Sequence, residues 1–170
     1  LDANTTADSN TAVGYASMTA NTTGSHNTSV GKSSMSANTT GIENVAVGSN
    51  ALAANTAGDY NVALGQKSLL VNTSASENTA VGYNALSSNV THANNVAVGY
   101  NALKANTQLG NTAVGHQALR LNTSGAGNIA VGKNSLYTNT DANYNIAIGY
   151  DSLQQNNANY NSAIGHDALK

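Results

Sequence analysis

Ten times along 170 residues the same short block returns, and its period limits what this chain can fold into more than any other feature does. Asn78–Asn89 reads NTAVGYNALSSN, Asn95–Asn106 reads NVAVGYNALKAN, and Asn111–Asn122 reads NTAVGHQALRLN. The block also begins at Asn10, Asn27, Asn44, Asn61, Asn128 and Asn145, and a shortened copy begins at Asn161. Gly fills its fifth position throughout, at Gly14, Gly31, Gly48, Gly65, Gly82, Gly99, Gly115, Gly132, Gly149 and Gly165. The period is 17, falling to 16 twice, and both losses lie between Asn106 and Asn111 or between Asn156 and Asn161. A fixed block joined by a connection of variable length describes one structural unit and one surface loop, so residues 1–170 read as a single array.

The period selects the architecture. Helical-pair repeats need about 33 to 47 residues, far more than one unit holds here. Counting the first Asn as position 1, position 3 is Ala except at Ser29, position 4 is Val, Ile or Leu64, and position 9 is Leu, with Met18 and Met35 in the first two copies. T-A-V-G and A-L-x-x-N are short, aliphatic or β-branched, and bounded by Asn and Gly, as strands are. Two such strands and two turns fill one coil, and the expected fold is an all-β parallel solenoid of about ten coils. Coils spaced by about 4.8 Å would make a rod of roughly 45 Å. Strand alternation is expected to put positions 2 and 4 on the core face with Leu, and the Ala column on the opposite face.

The Asn columns belong where the chain turns. Asn tolerates left-handed backbone, its side chain imitates a turn, and identical Asn stacked coil on coil can form hydrogen-bond ladders. The Gly column supplies freedom for a tight corner. These Asn and Gly are assigned structural roles.

Composition narrows the function. A net charge of −2, with six Lys plus Arg scattered singly, leaves no footprint for nucleic acid. No apolar run approaches the ~20 residues of a membrane span. Without Cys there are no disulfides and no thiolate metal sites. Without Phe or Trp, each coil buries little, and the array is expected to need a second buried surface, most simply the Ala column meeting other copies of the chain.

The N-x-A-[VI]-G strand, followed by a small residue and Leu, resembles the repeats of trimeric autotransporter adhesin heads. The longer unit NTAVGYNALxxNTxG also resembles repeats in the shafts of phage tail fibres and related bacterial surface proteins. The resemblance covers essentially the whole chain, although the adhesin-head repeat is shorter. It implies a left-handed parallel β-roll assembled as a homotrimer, and a fibre or adhesin role without enzymatic activity.

Site chemistry adds little to that reading. The acids Asp2, Asp8, Glu43, Asp59, Glu77 and Asp141 fall outside the strand core, and only Asp151 and Asp167 share a column, the seventh. Catalysis by paired carboxylates would need several on one sheet. His116 and His166 share position 6 but stand three coils apart, roughly 14 Å, too far for one metal. No catalytic residue, metal site or cofactor is assigned. Tyr15, Tyr83, Tyr100 and Tyr150, also at position 6, form a candidate surface-contact stripe, for sugars or a host surface, or else a stack that shields the strand corner. The recurring Asn-Thr pair offers one Thr per coil and the alternative of a monomeric solenoid that binds ice or glycan. Several of these pairs are also N-glycosylation acceptors.

The expected whole is a segment of an extracellular fibre, on a cell surface or a virion. It would associate with itself and touch a host-cell or matrix surface, without nucleic acid and without membrane insertion. Beginning at Leu1, it reads as a piece of something longer.

Overall fold

The computed structural model describes residues 3–170. It is all-β: ten parallel strands stack in sequence order into one sheet, making a solenoid of about nine turns with a repeat of ~17 residues. The strands are β1 (Thr11–Val13), β2 (Thr28–Val30), β3 (Val45–Val47), β4 (Val62–Leu64), β5 (Thr79–Val81), β6 (Val96–Val98), β7 (Thr112–Val114), β8 (Ile129–Val131), β9 (Ile146–Ile148) and β10 (Ser162–Ile164). Register never slips. Val45 pairs with Val62, Ala46 with Ala63 and Val47 with Leu64, and the same columns meet at all nine junctions, including those after the shortened units.

Each strand is held to three residues by its neighbours. The Asn before it is buried, and its main-chain N–H donates to the side-chain oxygen of the preceding Asn, as Asn44 does to Asn27 Oδ1 at 2.9 Å. The Gly after it turns the corner with positive φ, and at Gly65 (φ 134) an added Cβ would lie 2.6 Å from the Gly82 carbonyl oxygen.

The A-L-x-x-N segment is not the second strand that its aliphatic pattern suggests. Positions 7 and 9 are both left-handed, with φ 57 at Asn50 and φ 50 at Leu52. Their N–H groups therefore reach opposite ways. Asn50 donates to the Lys32 carbonyl of the coil before at 2.9 Å, and Leu52 to the Ser68 carbonyl of the coil after at 2.9 Å. The ladder of inter-coil hydrogen bonds continues through a segment that forms no second strand, and a third left-handed residue closes the coil at position 17, as at Glu43 (φ 54) and Glu77 (φ 60).

The faces of the strand are the reverse of the sequence expectation. The Ala column points inward: from Ala46 to Ala147 it is fully buried, packed with the position-8 Ala and Ser and the position-9 Leu of its own chain. Positions 2 and 4 point outward. The cause is width. Two turns close on the Leu column, and the space left opposite it takes a methyl group, so the larger β-branched side chains face out. Each coil thus buries one large apolar side chain, Leu or Met, and the main-chain and Asn ladders carry the rest of the cohesion.

Candidate functional site

The Asn columns form two internal ladders. At position 1, Asn61 Nδ2 donates to Asn44 Oδ1 at 3.1 Å and to the Ala75 carbonyl at 2.8 Å, while Asn61 Oδ1 accepts the Asn78 N–H at 3.1 Å. At position 12, Asn55 Nδ2 donates to Asn38 Oδ1 at 2.8 Å and to the Gly58 carbonyl at 2.9 Å. Asn10 and Asn161 are partly buried at the two ends, and Asn27 through Asn145 are completely buried. Burial takes the inner amides out of reach of a ligand, and nearly all are bonded within the ladders; Asn89 Oδ1 is the buried exception, without a partner. Of the glycosylation acceptors among them, Asn21, Asn27, Asn38, Asn72, Asn89 and Asn122 are likewise at zero exposure, and Asn4 at the first turn is exposed.

The Thr that follows the second Asn is equally engaged. Thr39 Oγ1 donates to the Thr56 carbonyl at 2.9 Å, and Thr56 Oγ1 to the Thr73 carbonyl at 3.0 Å. The row is part of the scaffold, with its hydroxyl hydrogens pointed along the array.

Position 6 carries a stacked ladder on one corner. Tyr83 and Tyr100 lie 5.5 Å apart and nearly parallel, Tyr100 and His116 are at 5.1 Å, and Tyr150 and His166 at 5.0 Å. Lys133 Nζ sits 5.2 Å from the Tyr150 centroid, which gives that ring a cation on one face and His166 on the other. Stacking along the array covers ring faces and turns ring edges outward, so a sugar face has no open ring to lie on between Tyr83 and His116. Tyr15 stands apart from these stacks and is 79% exposed. On the opposite edge, two residues before the strand, Tyr144 and Tyr160 stack at 5.5 Å.

Asp151 and Asp167 do share a face, and Lys170 bridges them, with Nζ 3.2 Å from Asp151 and 3.0 Å from Asp167. His166 Nδ1 is 3.2 Å from Asp167. Partial desolvation of Asp151 works to raise its pKa, but hydrogen bonds from Asn134 and Lys170, with the Lys170 and Lys133 charges, outweigh it and hold the carboxyl below its ordinary value. Hydrogen bonds to Asp167 and then Asp151 raise the pKa of Lys170. The group is a closed ion network, and among the described residues no three His, Cys, Asp or Glu side chains stand together as a metal site.

The largest continuous feature is the outward face of the sheet. Two columns of Thr, Val, Ile and Leu run the length of the ten strands, partly exposed throughout, with Val47 at 39%, Val114 at 37% and Ile148 at 38%. Sequence reasoning missed this face because it assigned those columns to the core. Position 4 is apolar in every strand, while position 2 is Thr or Ser in five of the ten.

No family model, curated protein or solved structure matches the chain.

Proposed function

We propose that this chain is a shaft or head segment of a homotrimeric extracellular fibre, borne on a cell surface or a virion, whose role is mechanical and adhesive. The observation that carries this reading is the outward face of ten strands, lined by two columns of Thr, Val, Ile and Leu that are broken only by Ser162 in the last strand. The Ala column, expected to be the contact between chains, lies inside the coil, and the shared surface moves to positions 2 and 4. Three copies packed around one axis would cover that face along its whole length.

The unit explains why such a part suits a fibre. Each coil bonds only to its neighbours, so stability sums over coils and length scales with copy number. Half-exposed loops and corner residues vary from coil to coil while the ladders stay constant, which leaves the outer corners free to contact a host or matrix surface. The alternative of a monomeric solenoid binding ice loses its original support, because the Asn-Thr hydroxyls donate to main-chain carbonyls.

Light scattering after size exclusion, over a dilution series, tests the proposal. A mass of three chains, about 51 kDa from a 17.1 kDa chain, is expected to persist on dilution. A folded particle of 17.1 kDa at every concentration would overturn it.

A further inference from the structure

One column outside the strand sets how tightly successive coils close. Position 15 is Gly in four of the seven full-length units and Ala75, His92 and Ala142 in the other three. Gly41 has no left-handed φ, so what Gly supplies here is space. A Cβ added to Gly41 would stand 2.5 Å from both the Gly58 carbonyl oxygen and Asn38 Oδ1. Any side chain at position 15 is therefore a wedge between its coil and the next.

The second Asn ladder follows the wedge. Where position 15 is Gly, the amide of the next coil bonds at 2.8 to 2.9 Å, as Asn38 does to Asn21 and Asn72 to Asn55. Above Ala75 the distance from Asn89 Nδ2 to Asn72 Oδ1 grows to 3.5 Å, and above Ala142 that from Asn156 Nδ2 to Asn139 Oδ1 grows to 3.4 Å. Above His92 the bond is gone. Asn106 Nδ2 donates instead to the Gln108 carbonyl, and Asn89 Oδ1 and His92 Nδ1 are buried without a partner.

The main chain repeats the pattern. Thr39 and Thr40 both donate to the Thr56 carbonyl at 3.0 Å. Among the described residues, Val90 and Thr91 make no equivalent bond to Thr107, and Ser74 makes none to Val90. Thr73 still reaches the Val90 carbonyl at 2.9 Å, so the junction above Ala75 is stretched and the one above His92 is open. Across the open junction, the wall of positions 12 to 17 keeps one main-chain bond, from Gly110 to the Ala93 carbonyl at 3.3 Å. The unit above is also one residue short between Asn106 and Asn111, which leaves less chain to bridge the gap. The rest of that junction stays shut, with Gly99 donating to Val81 at 2.7 Å and Leu86 to Ala102 at 3.0 Å.

We propose that the coil from Asn78 to Asn94 is a hinge built into the array, at which the wall of positions 12 to 17 opens about the bonded strand, and that the wedges Ala75 and His92 create it. Because each coil bonds only to its neighbours, one loose wall divides the array into two blocks that bend relative to each other. The device belongs to a single chain and stands apart from the fibre reading.

Hydrogen exchange tests it at amides that are themselves bonded. Ser88 donates across the open junction to the Lys104 carbonyl at 3.1 Å, and Ala37 makes the equivalent bond to Ala53 at 3.1 Å. Corrected for intrinsic rates, Ser88 is expected to exchange at least roughly tenfold faster than Ala37, the effect of losing about one to two net hydrogen bonds. Equal protection of the two would overturn the hinge and leave only a static gap at Val90. Two variants then move the wedge. Ala75→Gly combined with His92→Gly should slow exchange at Ser88 at least roughly fivefold, and Gly41→Ala should speed exchange at Ala37 at least roughly tenfold. Unchanged exchange in either variant would overturn position 15 as the control.

Discussion

Replacing Asn61 with Ala should be among the most damaging changes available to this chain, although no ligand or partner is near it. Asn61 is completely buried, and its amide donates to Asn44 Oδ1 and the Ala75 carbonyl while its oxygen accepts from Asn78. Truncation removes about three net hydrogen bonds, worth about 1 kcal/mol each. It also leaves the Asn78 N–H buried with no partner, a desolvation cost of about 1–3 kcal/mol. The sum is about 4–6 kcal/mol, and it falls in mid-array, where it loosens the junctions on both sides. Asn10→Ala is the internal control, because Asn10 is partly buried and has no described coil beneath it in the ladder. Its loss removes two bonds in place of three and should cost about 1 kcal/mol less. Urea unfolding followed by far-UV circular dichroism gives both values, and hydrogen exchange locates the weakened coils. A cost below about 1.5 kcal/mol for Asn61→Ala would refute the claim that the Asn ladders, more than the thin apolar core, hold the coils together.

Other positions give further expectations. Gly65→Ala combines φ 134 with a Cβ 2.6 Å from the Gly82 oxygen, and should cost about 2–4 kcal/mol in thermal or urea unfolding. Glu43→Asn places a residue tolerant of left-handed backbone at φ 54, on an exposed site, and should stabilise by up to about 1 kcal/mol. The depressed pKa of Asp151 means that its contribution is present above the unfolded value near 3.8 and is lost as pH falls through the lower folded value. Hydrogen exchange in the coils around Asp151 should therefore speed up at acid pH, and Asp151→Asn should abolish that acid dependence. Leu86→Ala empties the single large core position of its coil and should cost about 2–5 kcal/mol in the same unfolding assay.

The period and the parallel stacking were legible in the chain, because a block that repeats with only its connection varying admits one stacked unit and little else. Two features were not legible for physical reasons. Alternation says that Ala97 and Val98 face opposite ways, but both are apolar, and the choice of inside depends on a cross-section that the Leu column and the turns set together. The segment around Leu103 reads as a strand because Leu rarely adopts left-handed backbone, yet φ is 49 there. A local signal for it did exist: position 7 collects Asn50, Asn84, Asn101, Asn134, Asp151 and Asp167, residues that tolerate such backbone, and positions 7 to 9 contain no β-branched side chain. The outward sheet face was hidden by the same ambiguity, since an outward column of Val and Ile looks like a core until its direction is known.

The account turns on positions 2 and 4 facing outward and being covered by another copy. Thiol labelling of a Val98→Cys variant tests both halves at once, with Ala97→Cys as the inward reference. In the trimer, which persists on dilution, the thiols at 98 and 97 should both react slowly, and in a folded monomer produced by charged substitutions on the same face, Val81→Lys with Val114→Lys, the thiol at 98 should react rapidly and the thiol at 97 slowly. Rapid reaction at 98 at every concentration, with association confirmed by mass, would contradict the claim that this face is where copies meet, and rapid reaction at 97 would contradict the fold beneath it.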